Sequence, residues 1–356
     1  MTVLSWKGEA LRVHEQTIDE TDQLIAAALQ INGRASWGEV ARALELPERT
    51  VARRGQQLFD RGLVRVSTYV DVSRVLHARA VVLRVTTTPG DLWGVARELA
   101  SKSIASSVSV LEGSNDVACM MLPRSEEAVR ELLYSEIPEM SGITSINAVT
   151  VLKFFRSGHD WEPGILTSVQ QQALKKTAAV DADLAGEISE EEDALIDLLL
   201  HDGRMPVAQL ASQLGVSSAT VRRRMESLTA RGLMHPRTEV VPAVFGLRME
   251  ALVWFKAPMD KVEAFGQALA HASEIKFIVA TTGASQLLAN VIVADETALY
   301  EFVTGEQVTC HEGLEVLDML VVLTPLLRGS LRVDEGPEAS TGIVPVVRPS
   351  AGAIGS

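Results

Sequence analysis

The chain has 356 residues, 47% of them hydrophobic, and carries a formal net charge of −13. That length allows two to four small domains, the apolar share is ample for packed cores, and the chain is read as globular. No run of 18 apolar residues exists, and Lys7, Glu9 and Arg12 stand where a signal peptide needs its apolar region, which argues against a membrane or secreted protein and predicts a cytoplasmic one.

In chain order, residues 1–16 form an N-terminal arm. Ile18 to Gln30 then places Leu24, Ile25, Ala28 and Leu29 at helical spacing and stops at Asn32-Gly33. Val40 to Leu44 and Glu48 to Leu58 make a two-helix motif, followed at Gly62-Leu63-Val64 by a strand or wing near Val66 to Val72. The pattern then changes to strand over Ala80 to Val85, helix over Asp91 to Ala100 and strand over Ile104 to Leu111. That strand stops at Gly113-Ser114-Asn115 and returns as Asp116 to Leu122. A helix over Ser125 to Ser135 and a strand over Ile146 to Phe155 complete a βαββαβ order, an antiparallel ferredoxin-like sheet with two helices on one side. Residues 158–186 read as a linker with one short amphipathic helix built on Ile165, Leu166, Val169 and Ala173. The plan then repeats: a three-helix unit in 187–237 and, in 238–328, segments Ala251–Phe255, Met259–His271, Ile275–Thr282, Leu287–Val293, Thr297–Thr304 and Leu314–Leu323. Residues 329–356, rich in Gly, Pro and Ser, read as a disordered tail. The fold class is α+β, with winged helix-turn-helix units at 17–66 and 187–237 and βαββαβ units at 67–157 and 238–328.

The repeat is explicit. Adding 170 to Gly33, Arg34, Ala41, Leu44, Thr50, Val51, Arg53, Arg54, Leu58, Arg61, Gly62 and Leu63 gives the same residue type each time. With Ile18, Glu20 and Leu29 included, 15 of 46 ungapped positions are identical.

In the second copy Ala211, Gly215 and Val221 stand at the first, fifth and eleventh places of the helix-turn-helix spacing: a small residue where the helices cross, a glycine for a left-handed turn, and a core anchor. Ser217 can cap the second helix, leaving Ser218, Thr220, Arg222, Arg223 and Arg224 for its outer side. Helical geometry does not let all of these face one groove, so one arginine is expected to read bases and its neighbours to grip phosphates. The plain alternative is a three-helix cluster with a solvated basic face. The corresponding contact residues of the first copy are Arg49, Thr50, Arg53 and Arg54. There Glu45 replaces the glycine, Pro47 replaces the capping serine and Gly55 lies inside the helix, which predicts weaker binding by this copy. Residues 203–237 hold six arginines against one glutamate, and 33–66 hold seven against four acidic residues, in an otherwise acidic chain. Such local basicity is what double-stranded DNA requires of an acidic protein. Cys119 and Cys310 fall in apolar segments and read as reduced, buried thiols. The seven histidines show no metal-ligand spacing, and neither metal nor cofactor is implied.

A three-helix winged helix-turn-helix followed by βαββαβ resembles the Lrp/AsnC (feast/famine) family of transcriptional regulators, over residues 17–157 and again 187–328. The resemblance implies a DNA-binding regulator rather than an enzyme, with a sheet domain that dimerises and binds a small effector, often an amino acid, between subunits. It places that site at a Gly-x-x-Asp turn: Gly113, Ser114, Asn115 and Asp116 in the first copy, Gly283 and Gln286 in the second, where the carboxylate is missing. On the residues alone, Gly113 reads rather as a plain hairpin turn needing positive φ, and only the resemblance raises the effector reading. Siroheme decarboxylases share the plan and supply an enzymatic alternative. They carry a His-Asn-Tyr segment in the sheet, whereas Ile104–Leu111 and Ile275–Thr282 contain neither histidine nor tyrosine. Because the sheet strands are apolar on both alternations, notably Val149–Phe155 and Leu317–Leu323, both faces are expected to be buried by packing of the two sheets on each other as an internal pseudo-dimer, with room for further homo-oligomerisation.

Overall fold

The computed structural model describes residues 18–70, 79–113, 115–123, 125–175, 188–329, 331–333 and 343–345. The N-terminal arm predicted for 1–16 lies outside them. The first three helices are α1 (Glu20–Ile31), α2 (Trp37–Leu44) and α3 (Glu48–Asp60). Capping boxes start α1 at Asp19 and α2 at Ser36, where the third residue returns a side-chain acceptor to the cap N–H. Their shared core is Ile25, Leu29, Val40, Leu44, Val51 and Leu58. The second set, α7 (Glu190–His201), α8 (Val207–Leu214) and α9 (Ser218–Ala230), closes on Leu195, Ile196, Leu199, Leu210, Val221 and Leu228. We call these head one and head two. Each is followed by a wing strand, β1 (Val64–Val70) and β6 (Met234–Val240), and the two wings pair antiparallel from Val64↔Val240 to Val70↔Met234.

The first sheet unit comprises β2 (Val81–Thr87), α4 (Leu92–Ser101), β3 (Ala105–Glu112), β4 (Val117–Met121), α5 (Glu126–Glu131) and β5 (Ile143–Arg156). α5 continues through a π-helical turn, Leu132–Glu136, to Glu139. The second comprises β7 (Met249–Lys256), α10 (Val262–Leu269), β8 (Ile275–Thr281), β9 (Leu287–Val293), α11 (Glu296–Thr304), α12 (Glu306–Thr309) and β10 (Glu315–Arg328). Each unit pairs its strands in the order second-third-first-fourth. The helices cover the outside of each sheet over separate cores, one centred on Leu83, Val85, Leu99 and Met121, the other on Val253, Phe255, Leu269 and Val291.

What joins the units is the length of their last strands. The first part of β5 pairs with β2 and its remainder with β8; β10 pairs first with β7 and then with β3. Eight strands therefore close on themselves, and closure leaves no free edge among them. Inside, Val82, Leu111 and Ala118 of the first unit meet Leu252, Trp254, Val279, Leu288 and Leu320 of the second. The two sheets thus meet within one chain, by shared hydrogen bonding as well as by face packing.

Several expectations need correction. β5 and β10 are not buried on both faces: Leu152 is 60% and Leu323 58% exposed, because each strand runs past its own helices to reach the other sheet. Residues 158–174 are more than a linker. Trp161, Leu166 and Leu174 enter the core of head one, and Trp161 Nε1 donates to the Ser273 carbonyl at 2.7 Å, tying that head to the second sheet. The buried side of the short helix α6 (Ser168–Leu174) is set by Leu174, while Val169 and Ala173 face solvent. Within the tail, β11 (Leu331–Val333) pairs with the end of β10, and β12 (Ile343–Pro345) pairs with β11; apart from Gly329, the rest lies outside the described residues. Cys119 is buried, as expected, and burial pushes its thiol up to about 12, but Cys310, after α12, is exposed rather than buried.

Candidate nucleic-acid interface and inter-sheet junction

Head two forms the turn its spacing predicts. Gly215 sits in the left-handed region at φ 65°, Ala211 and Val221 are buried, and the Ser217 hydroxyl accepts the Thr220 N–H at 3.1 Å. The Ser217 and Thr220 hydroxyls lie 3.0 Å apart, so both serve the cap at the exposed start of α9, next to the half-buried Ser218. Arg222 and Arg223 are exposed and Arg224 is half-buried; among the described residues none of the three has a carboxylate within ion-pair distance. Arg224 nevertheless acts at longer range. With the Ser189 hydroxyl and a backbone N–H, its charge holds the Glu191 carboxyl below its ordinary value.

Head one uses the same positions differently. Glu45 occupies the left-handed turn at φ 55°, the one non-glycine residue with positive φ among those described. Pro47 gives α3 no side-chain cap. Arg49 and Arg53 are exposed, Thr50 is half-buried, and Arg53 reaches along its own helix to Gln57 Oε1 at 3.3 Å. Arg54 is not available as a contact residue: its Nη1 lies 2.7 Å from Asp19 and 3.0 Å from Asp22, the start of α1. Those hydrogen bonds, to Asp22 first and then Asp19, raise its pKa and commit it to the fold. Gly55 is likewise structural, since a Cβ there would run into the Trp37 ring.

The turns singled out in the sheets sit where the two units meet. A Cβ on Gly113 (φ 135°) would meet the Leu320 side chain of β10, and one on Gly283 (φ 98°) would meet Val149 of β5. Ser114 lies outside the described residues. Asp116 Oδ2 accepts from both the backbone N–H and, at 3.0 Å, the hydroxyl of Thr87, at the end of β2. Gln286 does the same work without the charge: its Oε1 accepts the Ala257 N–H at 2.9 Å, beside the end of β7. Thr87 and Ala257 are themselves 170 apart, so the fourth turn position ties down the end of the first strand of its sheet unit in both copies. Asn115 Oδ1 accepts from Arg84 Nε at 2.9 Å, and its Nδ2 donates to the Thr86 hydroxyl.

Reading the sequence did not single out Arg84. Its guanidinium reaches Asp318 of the other unit and stacks over Trp254 at 4.2 Å. Arg84 and Trp254 are equivalent positions of the repeat, and a lone arginine inside the apolar run Val81–Val85 was the available signal. A second overlooked cluster is buried between the head-two wing and its sheet. Arg237 pairs with Glu239, Lys276 lies 3.7 Å from Glu239, Arg328 pairs with Glu250, and Asn290 Nδ2 donates to Glu250 at 2.9 Å. Burial alone would raise Glu239, but Arg237, Lys276 and Arg328 more than offset it and hold the carboxyl low.

An AsnC-type helix-turn-helix domain model matches residues 18–58 and 193–229, one match over each head. An uncharacterized helix-turn-helix-type transcriptional regulator of Pyrococcus furiosus is 27% identical over 129 residues, which are 36% of this chain and 87% of that relative. The regulator LrpA of Pyrococcus horikoshii is 22% identical over 137 residues, 38% of this chain and 97% of LrpA. Each head is thus an AsnC-type helix-turn-helix domain, and each copy is similar to regulators of the Lrp/AsnC type. Each of these family relatives is about as long as one copy of the repeat. A siroheme decarboxylase, NirDL, superposes with a TM-score of 0.57 at 13% identity, covering 87% of this chain and 93% of that one, which shows a shared fold. Among the described residues no helix is long and apolar enough to cross a membrane, and no group of three His, Cys, Asp or Glu could hold a metal.

Proposed function

We propose that this protein is a sequence-specific DNA-binding transcriptional regulator of the Lrp/AsnC type that acts in the cytoplasm, built as a tandem fusion of two regulator units with bounds near 17–157 and 187–328. The observation that carries the reading is the state of α9: three successive arginines on a capped helix with, among the described residues, no carboxylate bonded to them, in a chain of net charge −13. Unpaired guanidiniums on such a helix suit phosphate and guanine contacts in a major groove. Selection of random-sequence duplexes on the full chain, followed by gel shift with the enriched sequence, tests it. Enrichment of a motif that binds the wild type and not Arg222→Ala/Arg223→Ala/Arg224→Ala supports the reading, and no enrichment overturns it.

A small effector, an amino acid in the family's pattern, is the second part of the reading, and we place it at the junction of the two sheets. It would have to be held by groups other than Asp116 Oδ2 and Gln286 Oε1, which serve the fold. The fold shared with NirDL favours the decarboxylase alternative. Against it stand strands β3 and β8, which lack histidine and tyrosine, and the free arginines of α9. Spectral titration with a haem-like tetrapyrrole separates the two readings, since tight saturable binding would support the enzyme.

A further inference from the structure

The repeat preserves a Gly-Arg pair, Gly33-Arg34 and Gly203-Arg204, that takes no part in either recognition helix. In the structure these pairs face each other across the two heads. Arg34 Nη1 donates to the Gly203 carbonyl and Nη2 to the Met205 carbonyl at 3.1 Å. Arg204 returns the arrangement, Nη1 to the Gly33 carbonyl at 2.6 Å and Nη2 to the Ala35 carbonyl at 3.0 Å. Each guanidinium fork thus spans two carbonyls of the opposite head, a geometry a lysine ammonium cannot reproduce. The arginines are held from behind as well: Asn32 Oδ1 accepts the Arg34 N–H, and Asp202 Oδ1 accepts the Arg204 N–H. Arg204 also lies 4.6 Å over the Trp37 ring and 5.5 Å from Phe59 of head one.

The glycines allow the approach. A Cβ on Gly203 would overlap the backbone of Ser67 in β1, and one on Gly33 would overlap the side chains of Thr238 and Val66. The paired wings pass under both turns at that depth, with Gly203 N–H donating to the Val66 carbonyl at 3.0 Å and the Thr238 hydroxyl to the Leu29 carbonyl at 2.6 Å. Burial lowers the pKa of both arginines, and for Arg204 the nearby Arg34 charge adds to this, while the Asp202 charge opposes it for both. Two like charges are kept this close where four carbonyl acceptors and one carboxylate meet them.

We propose that Arg34 and Arg204 are positioning residues: together they clasp the two heads into one rigid body and so fix α9 relative to α3 for DNA binding, without touching DNA. The DNA part rests on the function proposed above; the clasp itself does not. Lysine at 34 and 204 keeps both charges and loses the forked contacts, so it separates a clasp from a phosphate contact. The test uses the full chain with spin labels on Gln56→Cys of α3 and Glu226→Cys of α9, equivalent exposed positions, in a Cys310→Ser background. With Arg34 and Arg204 intact, double electron–electron resonance should give one narrow distance distribution. Arg34→Lys/Arg204→Lys should broaden it, each single variant less so. If only about one molecule in ten then holds the binding geometry, affinity for the enriched duplex falls about tenfold.

An unchanged distance distribution in the double variant overturns the clasp. A broadened distribution with unchanged DNA affinity overturns its role in positioning. If the wild type enriches no duplex, the DNA reading fails, and the resonance measurement still decides whether the clasp exists. Should the double variant unfold, the singles carry the same comparison, with Arg204→Lys expected to have the larger effect because it alone gives up the Trp37 and Phe59 contacts.

Discussion

Head one and head two share one sequence pattern and differ at the positions proposed to meet DNA. In head two a glycine makes the turn, a serine caps α9, and Arg222 and Arg223 are exposed with no carboxylate partner among the described residues. In head one a glutamate makes the turn, a proline stands at the cap and Arg54 is drawn back onto Asp19 and Asp22. Glu45 and Glu48 also set negative charge beside the start of α3, where a helix N-terminus would otherwise attract a phosphate. What head one has lost in contact groups it holds in anchorage. Trp161, Leu166 and Leu174 pack into its core, and Trp161 is bonded to the second sheet. Under the proposed function the two heads divide the labour: one is placed to read, the other to hold the reader in place.

The sharpest way to break that comparison is to remove the arginines of each head in turn. Since a well-formed arginine contact is worth about 1 to 3 kcal/mol of base discrimination, replacing Arg222, Arg223 and Arg224 by alanine should lower affinity for the enriched duplex by at least about a hundredfold. Equal loss from Arg53→Ala alone would erase the asymmetry. Salt gives the same contrast by another route. The slope of log affinity against log salt should shrink by close to 0.9 for each head-two arginine that meets a phosphate, and Arg54→Ala should leave it unchanged.

The next effect concerns stability. Glu239 is buried between the head-two wing and β8, and its pKa lies below the ordinary carboxylate value of 4.5 because Arg237, Lys276 and Arg328 outweigh its burial. A carboxyl whose folded pKa is depressed contributes stability that is present above the unfolded value and lost as pH falls through the folded one. Protection of the β6 amides from hydrogen exchange, taken relative to the intrinsic rate at each pH, should therefore fall below about pH 4.5, ahead of protection in α1. Glu239→Gln should remove that acid transition and cost about 3 kcal/mol at neutral pH, since it leaves Lys276 and Arg237 buried without their partner. Unchanged exchange in the variant would mean the cluster contributes nothing to holding the wing.

Helices, strands and their order were legible because hydrophobic period and turn residues act locally: Leu24, Ile25, Ala28 and Leu29 announce α1, and Gly113 announces the end of β3. The doubling was legible because identities recur at a constant offset. What stayed hidden depends on which residues meet across long separations. Nothing near Arg54 says that Asp19 and Asp22 will take its guanidinium, and nothing near Asp116 says that its carboxylate will hold Thr87. Leu152 and Leu323 read as core because apolarity reports a preference for burial, whereas the crossing of β5 and β10 decides whether a neighbour is there. The Gly-Arg pairs were visible as repeated residues, but their partners lie in the other copy.

The smallest expected effect bears on the left-handed position of the turn, where one head has a side chain and the other a glycine. A non-glycine residue in the left-handed conformation costs roughly 1 to 2 kcal/mol, and glycine returns part of that through its larger unfolded-state entropy, roughly 0.5 to 1 kcal/mol. Glu45 at φ 55° carries this strain in head one, while Gly215 at φ 65° avoids it in head two, with open space where a Cβ would stand. Glu45→Gly should therefore stabilise head one by up to about 1 kcal/mol, and Gly215→Ala should destabilise head two by a similar amount. Because the chain holds several cooperative units, a single melting temperature would blur both changes. Hydrogen exchange at the amides of α2 with α3, and of α8 with α9, isolates each turn. Slower exchange in α2 and α3 for Glu45→Gly, with α8 and α9 unmoved, is the expected result. If exchange in head one does not slow, Glu45 is not under backbone strain, and the weakness of that head lies wholly in its missing cap and its tethered Arg54.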